Sequence, residues 1–184
     1  MPARTIVVVP EEVLRRKARP VTKFDDELQA LIDDMVETMR LAPGVGLAAP
    51  QVGVSERVIV VEYYENEEQA EESEDGEAPK RLYAVVNPEI TRKSTETELG
   101  IEGCLSIPGL NGEVERHLGV TVKGFNRRGQ PLTLKLKGWT ARIFQHEIDH
   151  LNGVLFTDLA TRIWNIDTPP EIEGEVTDLH ERPE

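Results

Sequence analysis

Residues 139–151 read Trp139-Thr140-Ala141-Arg142-Ile143-Phe144-Gln145-His146-Glu147-Ile148-Asp149-His150-Leu151, and the rest of the chain is best read outward from them. The pattern predicts a helix, opened by Lys137-Gly138 and closed before Asn152-Gly153. On a helix, residues four apart lie about 40° apart around the axis and one turn on, with roughly 6 Å between Cβ atoms. His146 and His150 so placed can grip one ion from one face. Glu147 falls beside that face, close to an ion without needing to bind it, which suits a general base for a water on that ion. His117 and His180, the other two histidines, have no partner pattern and read as ordinary surface residues.

A catalytic site of tetrahedral type wants a third protein ligand and one open position. Downstream, Asp158 is conceivable and the rest lie in an acidic tail. Upstream, Gly100-Ile101-Glu102-Gly103-Cys104-Leu105-Ser106-Ile107-Pro108 offers the only sulfur that suits an ion, Cys104. A lone cysteine is more often a small buried hydrophobe, so its neighbours must decide. A thiolate on such an ion is deprotonated outright and shields part of the metal's charge. With one cysteine no internal disulfide framework exists, which agrees with a reducing compartment.

A second glycine-rich segment, Gly44-Val45-Gly46-Leu47-Ala48-Ala49-Pro50-Gln51-Val52-Gly53, joins small-residue backbone to one long amide. It lacks the Gly-Lys-Ser/Thr ending of a phosphate loop. Two readings stand. It is either a tight connection packed on the core, or side-chain-poor backbone along which another chain lies as an added strand. In the second reading Gln51 supplies an N–H donor where charge develops on a carbonyl oxygen.

Around these segments the elements follow from periodicity. Thr22-x-x-Asp25 reads as a capping box, followed by Leu28, Leu31, Ile32, Met35 and Met39 at helical spacing and then by Pro43-Gly44. A turn or two of helix is expected after Pro10, from Glu11 to Lys17. The runs Arg57–Glu62, Leu82–Val86, Val120–Gly124 and Leu132–Leu136 are β-rich, the last alternating cleanly, and Asn126-Arg127-Arg128-Gly129 looks like the hairpin turn between the final two. The expected class is α+β: antiparallel β-sheets packed around a central metal-binding helix. Ile6-Val7-Val8-Val9 is only a strand's length and ends at Pro10, too short for a signal core or a spanning helix.

The formal net charge of −13 is unevenly placed. Residues 65–80 carry eight acids against Lys80, and residues 167–184 seven against Arg182, so these two segments hold the whole excess. The first reads as an acidic surface loop and the second as a flexible acidic tail, since neither buries enough apolar surface to order itself. The balance argues against wide contact with nucleic acid, DNA included, because phosphate needs a basic footprint.

Three segments in order resemble the peptide deformylase family, whose signatures are G-x-G-L-A-A-x-Q, E-G-C-L-S and Q-H-E-x-D-H. They stand here as Gly44–Gln51, Glu102–Ser106 and Gln145–His150, and the resemblance runs from about Val13 to Leu159. It implies a peptide deformylase-like fold, with residues 1–166 as a single catalytic domain. It implies removal of the N-formyl group from the N-terminal methionine of newly synthesised proteins, with release of formate. The metal would be held by Cys104, His146 and His150, with water or hydroxide in the fourth position. Glu147 would act as general base and then acid, and the oxyanion would be held by the metal, the Gln51 amide and the Leu105 backbone N–H. Gly44 to Gly46 and Gly103 would pair with the peptide backbone. Val45, Leu105, Ile143 and the edge of His146 would line the methionine pocket. Arg142, one turn before His146, reaches the pocket's rim or is an exposed, solvated arginine. The ligand types suit Zn²⁺, whereas the resemblance implies Fe²⁺, with Ni²⁺, Co²⁺ or Zn²⁺ as replacements. Formyl-Met nascent peptides, transient ribosome proximity without a basic anchor in residues 167–184, no membrane and a cytoplasmic location complete the expectation. A zincin-type endopeptidase with an acidic or His third ligand, and a non-enzymatic metal or binding domain, are the rival readings.

Overall fold

The computed structural model describes residues 2–65, 68 and 78–170. Most of the acidic 65–80 segment, residues 171–184 of the tail, and His180 lie outside the described residues.

In chain order a 3-10 helix (Glu12–Arg15) is followed by α1 (Asp26–Leu41) and β1 (Gly46–Ala48). Next come β2 (Val58–Tyr64), β3 (Lys80–Lys93), β4 (Thr97–Cys104) and β5 (Ile107–His117). After them come β6 (Gly119–Phe125), β7 (Pro131–Lys137), α2 (Gly138–Leu151), α3 (Phe156–Leu159) and β8 (Arg162–Asn165). The strands form two antiparallel sheets, one ordered β1-β2-β3-β6-β7 and a smaller one ordered β4-β5-β8.

β2 explains why the larger sheet has two coats. Val58, Ile59, Val60 and Val61 are all fully buried, and alternate side chains leave a strand on opposite faces. Ile59 and Val61 join Val85, Val122 and Leu134 against Ala141, Phe144, Ile148 and Leu151 of α2. Val58 and Val60 join Leu47 and Val86 against Leu28, Leu31, Ile32, Met35 and Met39 of α1. A strand covered on both faces reads as a continuous apolar run, as this one does. Under the small sheet Ile107, Val114, Leu155 and Phe156 form a third cluster that reaches Cys104. α2 therefore lies between the two sheets, as the α+β reading expected.

One local expectation needs correction and two are made specific. The N-cap of α1 is Asp25, whose side chain accepts from the Leu28 backbone N–H at 3.1 Å, so Thr22 is not the cap. The run after Pro10 makes only one 3-10 turn. The glycine-rich segment forms β1 itself, the edge of the large sheet, and then a 3-10 helix over Ala49–Val52.

Candidate active site

Three elements converge on one cleft. The segment around β1 contributes Gly44, Val45, Gly46 and Gln51. The end of β4 and its turn contribute Gly103, Cys104 and Leu105, and α2 contributes Ile143, His146 and Glu147. The cleft measures about 470 Å³, within the roughly 300–1,000 Å³ common for small-molecule sites. His150 sits behind this wall, almost wholly buried.

Behind Cys104 the donor atoms gather. Cys104 Sγ lies 3.3 Å from His150 Nε2, and Sγ and one nitrogen of each imidazole all lie within 4.8 Å of one another. Ligand atoms on one tetrahedral ion with bonds of about 2.0–2.3 Å stand roughly 3.5 Å apart, so these residues fit a single ion. The fit extends to the far side of the first imidazole. His146 Nδ1 donates to Glu102 Oε1 at 2.8 Å, which leaves its other nitrogen for the cluster. His150 Nδ1 has no hydrogen-bond partner among the described residues.

The electrostatics set each group's role. Burial, the largest influence, pushes His146 down. Hydrogen bonds to Cys104 and Glu102 and the Glu147 charge outweigh it and bring the pKa to about 10. A metal held here would displace a proton, and its affinity would fall as pH falls. Burial and then the neighbouring His146 hold His150 well below its ordinary value, so it stays neutral with a lone pair to donate. Glu147 is pushed up to about 7, chiefly by burial, and its Oε2 is buried with no partner among the described residues. A carboxylate that titrates near neutral pH is matched to proton transfer.

Gly46 is what admits that carboxylate. A Cβ at residue 46 would lie 2.6 Å from Glu147 Oε1, so any side chain there displaces the acid. Gln51 is oriented by its own loop. Its Oε1 accepts from the Ala48 N–H at 3.0 Å, and its amide donates to Ser106 Oγ at 3.2 Å and towards Cys104 Sγ at 3.5 Å.

Several residues stand where the sequence did not place them. Of the two readings of Arg142 the solvated one fails: it is 5 % exposed, borders the cleft and bonds Glu102, the Val114 carbonyl and the Glu98 carbonyl. His117 is half-buried, with its ring on the Ser94 carbonyl and its main chain on the Gln145 amide. Asp158 pairs with Arg15 near the surface, and the metal-ligand group contains Cys104 instead. Sequence reasoning assigned no role to Glu102, Arg116 or Asp149. Glu102 sits inside a quoted motif, whereas Arg116 carries no local signal at all.

Residues 3–164 match the sequence profile of the polypeptide deformylase family. The chain belongs to that family. Among its relatives, a peptide deformylase from Symbiobacterium thermophilum is 48% identical over 181 residues, which cover 97% of this chain and 77% of the relative. The crystal structure of peptide deformylase from Thermotoga maritima superposes with a TM-score of 0.77 at 44% identity, covering 88% of this chain and 100% of that one. A class I type b peptide deformylase from Acinetobacter baumannii, bound to Met-Ala-Ser, superposes with a TM-score of 0.75 at 39% identity. That match covers 85% of this chain and 98% of the other. The chain is thus an enzyme of the peptide deformylase type, a metal-dependent hydrolase of protein biosynthesis. Among the described residues no helix is long and apolar enough to cross a membrane.

Proposed function

We propose that Cys104, His146 and His150 hold one divalent ion and that Glu147 moves the proton in removing the N-formyl group from an N-terminal methionine. Deformylation of newly made proteins is the activity of the family to which the chain belongs. The observation that carries the residue roles is the convergence of one sulfur and two imidazoles beside a buried carboxylate with an unpartnered oxygen.

The ion supplies Lewis acidity, acidifying water and stabilising charge on an acyl oxygen. Glu147 takes a proton from the attacking water and returns it to the departing amine, so that formate and a free N-terminal methionine leave. The Gln51 amide and the Leu105 backbone N–H donate to the acyl oxygen as it gains charge. Gly44 to Gly46, at the edge strand β1, and Gly103, at the end of the edge strand β4, pair with the peptide backbone as it lies in the cleft. Val45, Leu105 and Ile143 line the pocket for the methionine side chain, and the Met-Ala-Ser complex of the Acinetobacter enzyme is in keeping with a peptide that begins in methionine. Fe²⁺ is the native ion, with Zn²⁺, Ni²⁺ or Co²⁺ able to replace it. Residues 1–166 hold the catalytic domain. The enzyme works in the cytoplasm, transiently near ribosomes.

Formate release from a formyl-Met dipeptide, measured anaerobically with and without chelator, tests the reading. The expected result is turnover that chelator abolishes and Fe²⁺ or Co²⁺ restores. Turnover indifferent to chelator, or none with any of these metals, contradicts it.

A further inference from the structure

Arg142, Gln145, His146 and Asp149 share one stripe of α2 at intervals of three and four residues, and that stripe is bonded to β4 and β5 throughout. Gln145 brackets the main chain of His117, accepting from its N–H and donating to its carbonyl. Arg116 of β5 bridges Glu102 and Asp149. Glu102 of β4 is the hub. Its Oε2 accepts from Arg116 Nε at 2.9 Å and Arg142 Nη1 at 2.8 Å, and its Oε1 accepts from Arg116 Nη2 at 2.9 Å and His146 Nδ1 at 2.8 Å.

Arg142 is the member of this hub with the most elaborate seat. Besides Glu102 it donates to the Val114 carbonyl on β5 and the Glu98 carbonyl on β4, so one guanidinium spans both strands. Trp139 lies against it, with the guanidinium carbon 5.4 Å from the ring centre. The backbone is cut away to let it in: a Cβ at Gly100 would lie 2.6 Å from the guanidinium carbon.

We propose that Arg142 is a positioning residue for the metal site, acting through Glu102 to fix the orientation of the His146 ring. This rests on the ligand set proposed above. By binding Oε2 it prevents the carboxylate from rotating and keeps Oε1 on His146 Nδ1, which aims the other nitrogen at the ion. Partners of this kind commonly alter metal affinity or activity by about 10–100-fold. Arg142 acts on the ion and not on the substrate, although it borders the cleft.

The test uses Co²⁺ on the full chain. Co²⁺ affinity by chelator competition, the visible spectrum of the Co²⁺-loaded protein, kcat and KM for a formyl-Met dipeptide, and thermal unfolding of metal-free protein are compared for wild type, Arg142→Met and Arg142→Lys. Arg142→Met should bind Co²⁺ about 10–100-fold more weakly, with shifted ligand-field bands and a lower kcat at saturating Co²⁺, while KM stays near wild type. Arg142→Lys should recover only part of this, because an ammonium cannot span three acceptors as a planar fork does. If Arg142→Met does not fold, Gly100→Ala displaces the guanidinium without deleting it and should move affinity and spectrum in the same direction. Unchanged affinity and spectrum with only a lower Tm would make Arg142 merely structural and overturn the proposal. A rise in KM alone would make it a substrate contact and overturn it too. A wild-type protein that binds no Co²⁺ would instead refute the ligand set itself.

Discussion

Helices α1 and α2 both bury one flank against the same large sheet, on opposite faces, yet they bury different chemistry. The inward face of α1 is Leu28, Leu31, Ile32, Met35 and Met39, with Asp34 and Thr38 at its margin. α2 buries Ala141, Phe144, Ile148 and Leu151 against the large sheet, and it buries Arg142, Gln145, His146, Glu147 and His150 as well, with Ile143 beside the cleft. Fully burying each large apolar side chain contributes about 1.5–3 kcal/mol. Burying a polar group costs about 1–3 kcal/mol unless it finds a partner, and more if charged. α2 offsets that cost almost atom by atom through Glu102, Arg116 and the His117 main chain. Among the described residues the exceptions are Glu147 Oε2 and His150 Nδ1. One lies on the proposed general base, the other on a proposed ligand. A polar helix face that is satisfied except at the chemistry is what separates a site from a core.

The largest expected effect falls on α2. Glu147→Ala should lower kcat by about 10²–10⁴-fold while Co²⁺ stoichiometry, read by elemental analysis, stays at wild type. Normal turnover in that variant would break the contrast at once. On α1 the loss should be of the other kind. Met35→Ala, at a fully buried position, should cost about 2–5 kcal/mol in urea unfolding, with kcat/KM of the folded fraction unchanged.

The polar face of α2 should also show itself through pH. Burial pushes Glu102 up, but hydrogen bonds from Arg116 and His146 prevail and hold it at about 2, below the ordinary 4.5. A folded pKa below the unfolded one gives stability that is present above about pH 4.5 and lost as pH falls towards 2, on the order of 3 kcal/mol in all. Urea midpoints of metal-free protein at pH 6, 4 and 3 should decline accordingly, more steeply in wild type than in Glu102→Gln. Equal slopes would show that the hub does not stabilise the fold. The smallest effect belongs to the solvent end of α1. Asp25→Ala removes the N-cap and should cost about 1 kcal/mol, whereas Thr22→Ala should leave the thermal midpoint almost unmoved.

What the sequence made legible divides along the same line. The strands β2, β6 and β7 and both long helices stand out because their apolar residues either run on without a break, as in β2, or repeat at a single period. The two proposed histidine ligands were legible because four-residue spacing on a helix is a geometric statement about two imidazoles. β4 and β5 were not, although β4 ends in Cys104. Gly100, Gly103, Gly109 and Gly112 dilute their β signal, and Glu102 and Arg116 place charge where an alternating strand would place aliphatic side chains. Their pairing across the hairpin makes burial affordable, and the sequence of either strand alone contains no trace of it. For Arg142 two readings stayed open for the same reason: its partners, Glu98, Glu102 and Val114, lie far away along the chain.

The atoms that surround the ion are the most direct test of the proposed site. X-ray absorption at the Co²⁺ or Zn²⁺ edge of loaded protein should show one sulfur at about 2.3 Å, two imidazole nitrogens at about 2.0–2.1 Å and one further light atom. A shell of nitrogen and oxygen only, with Cys104 left reactive to a thiol reagent, would contradict it.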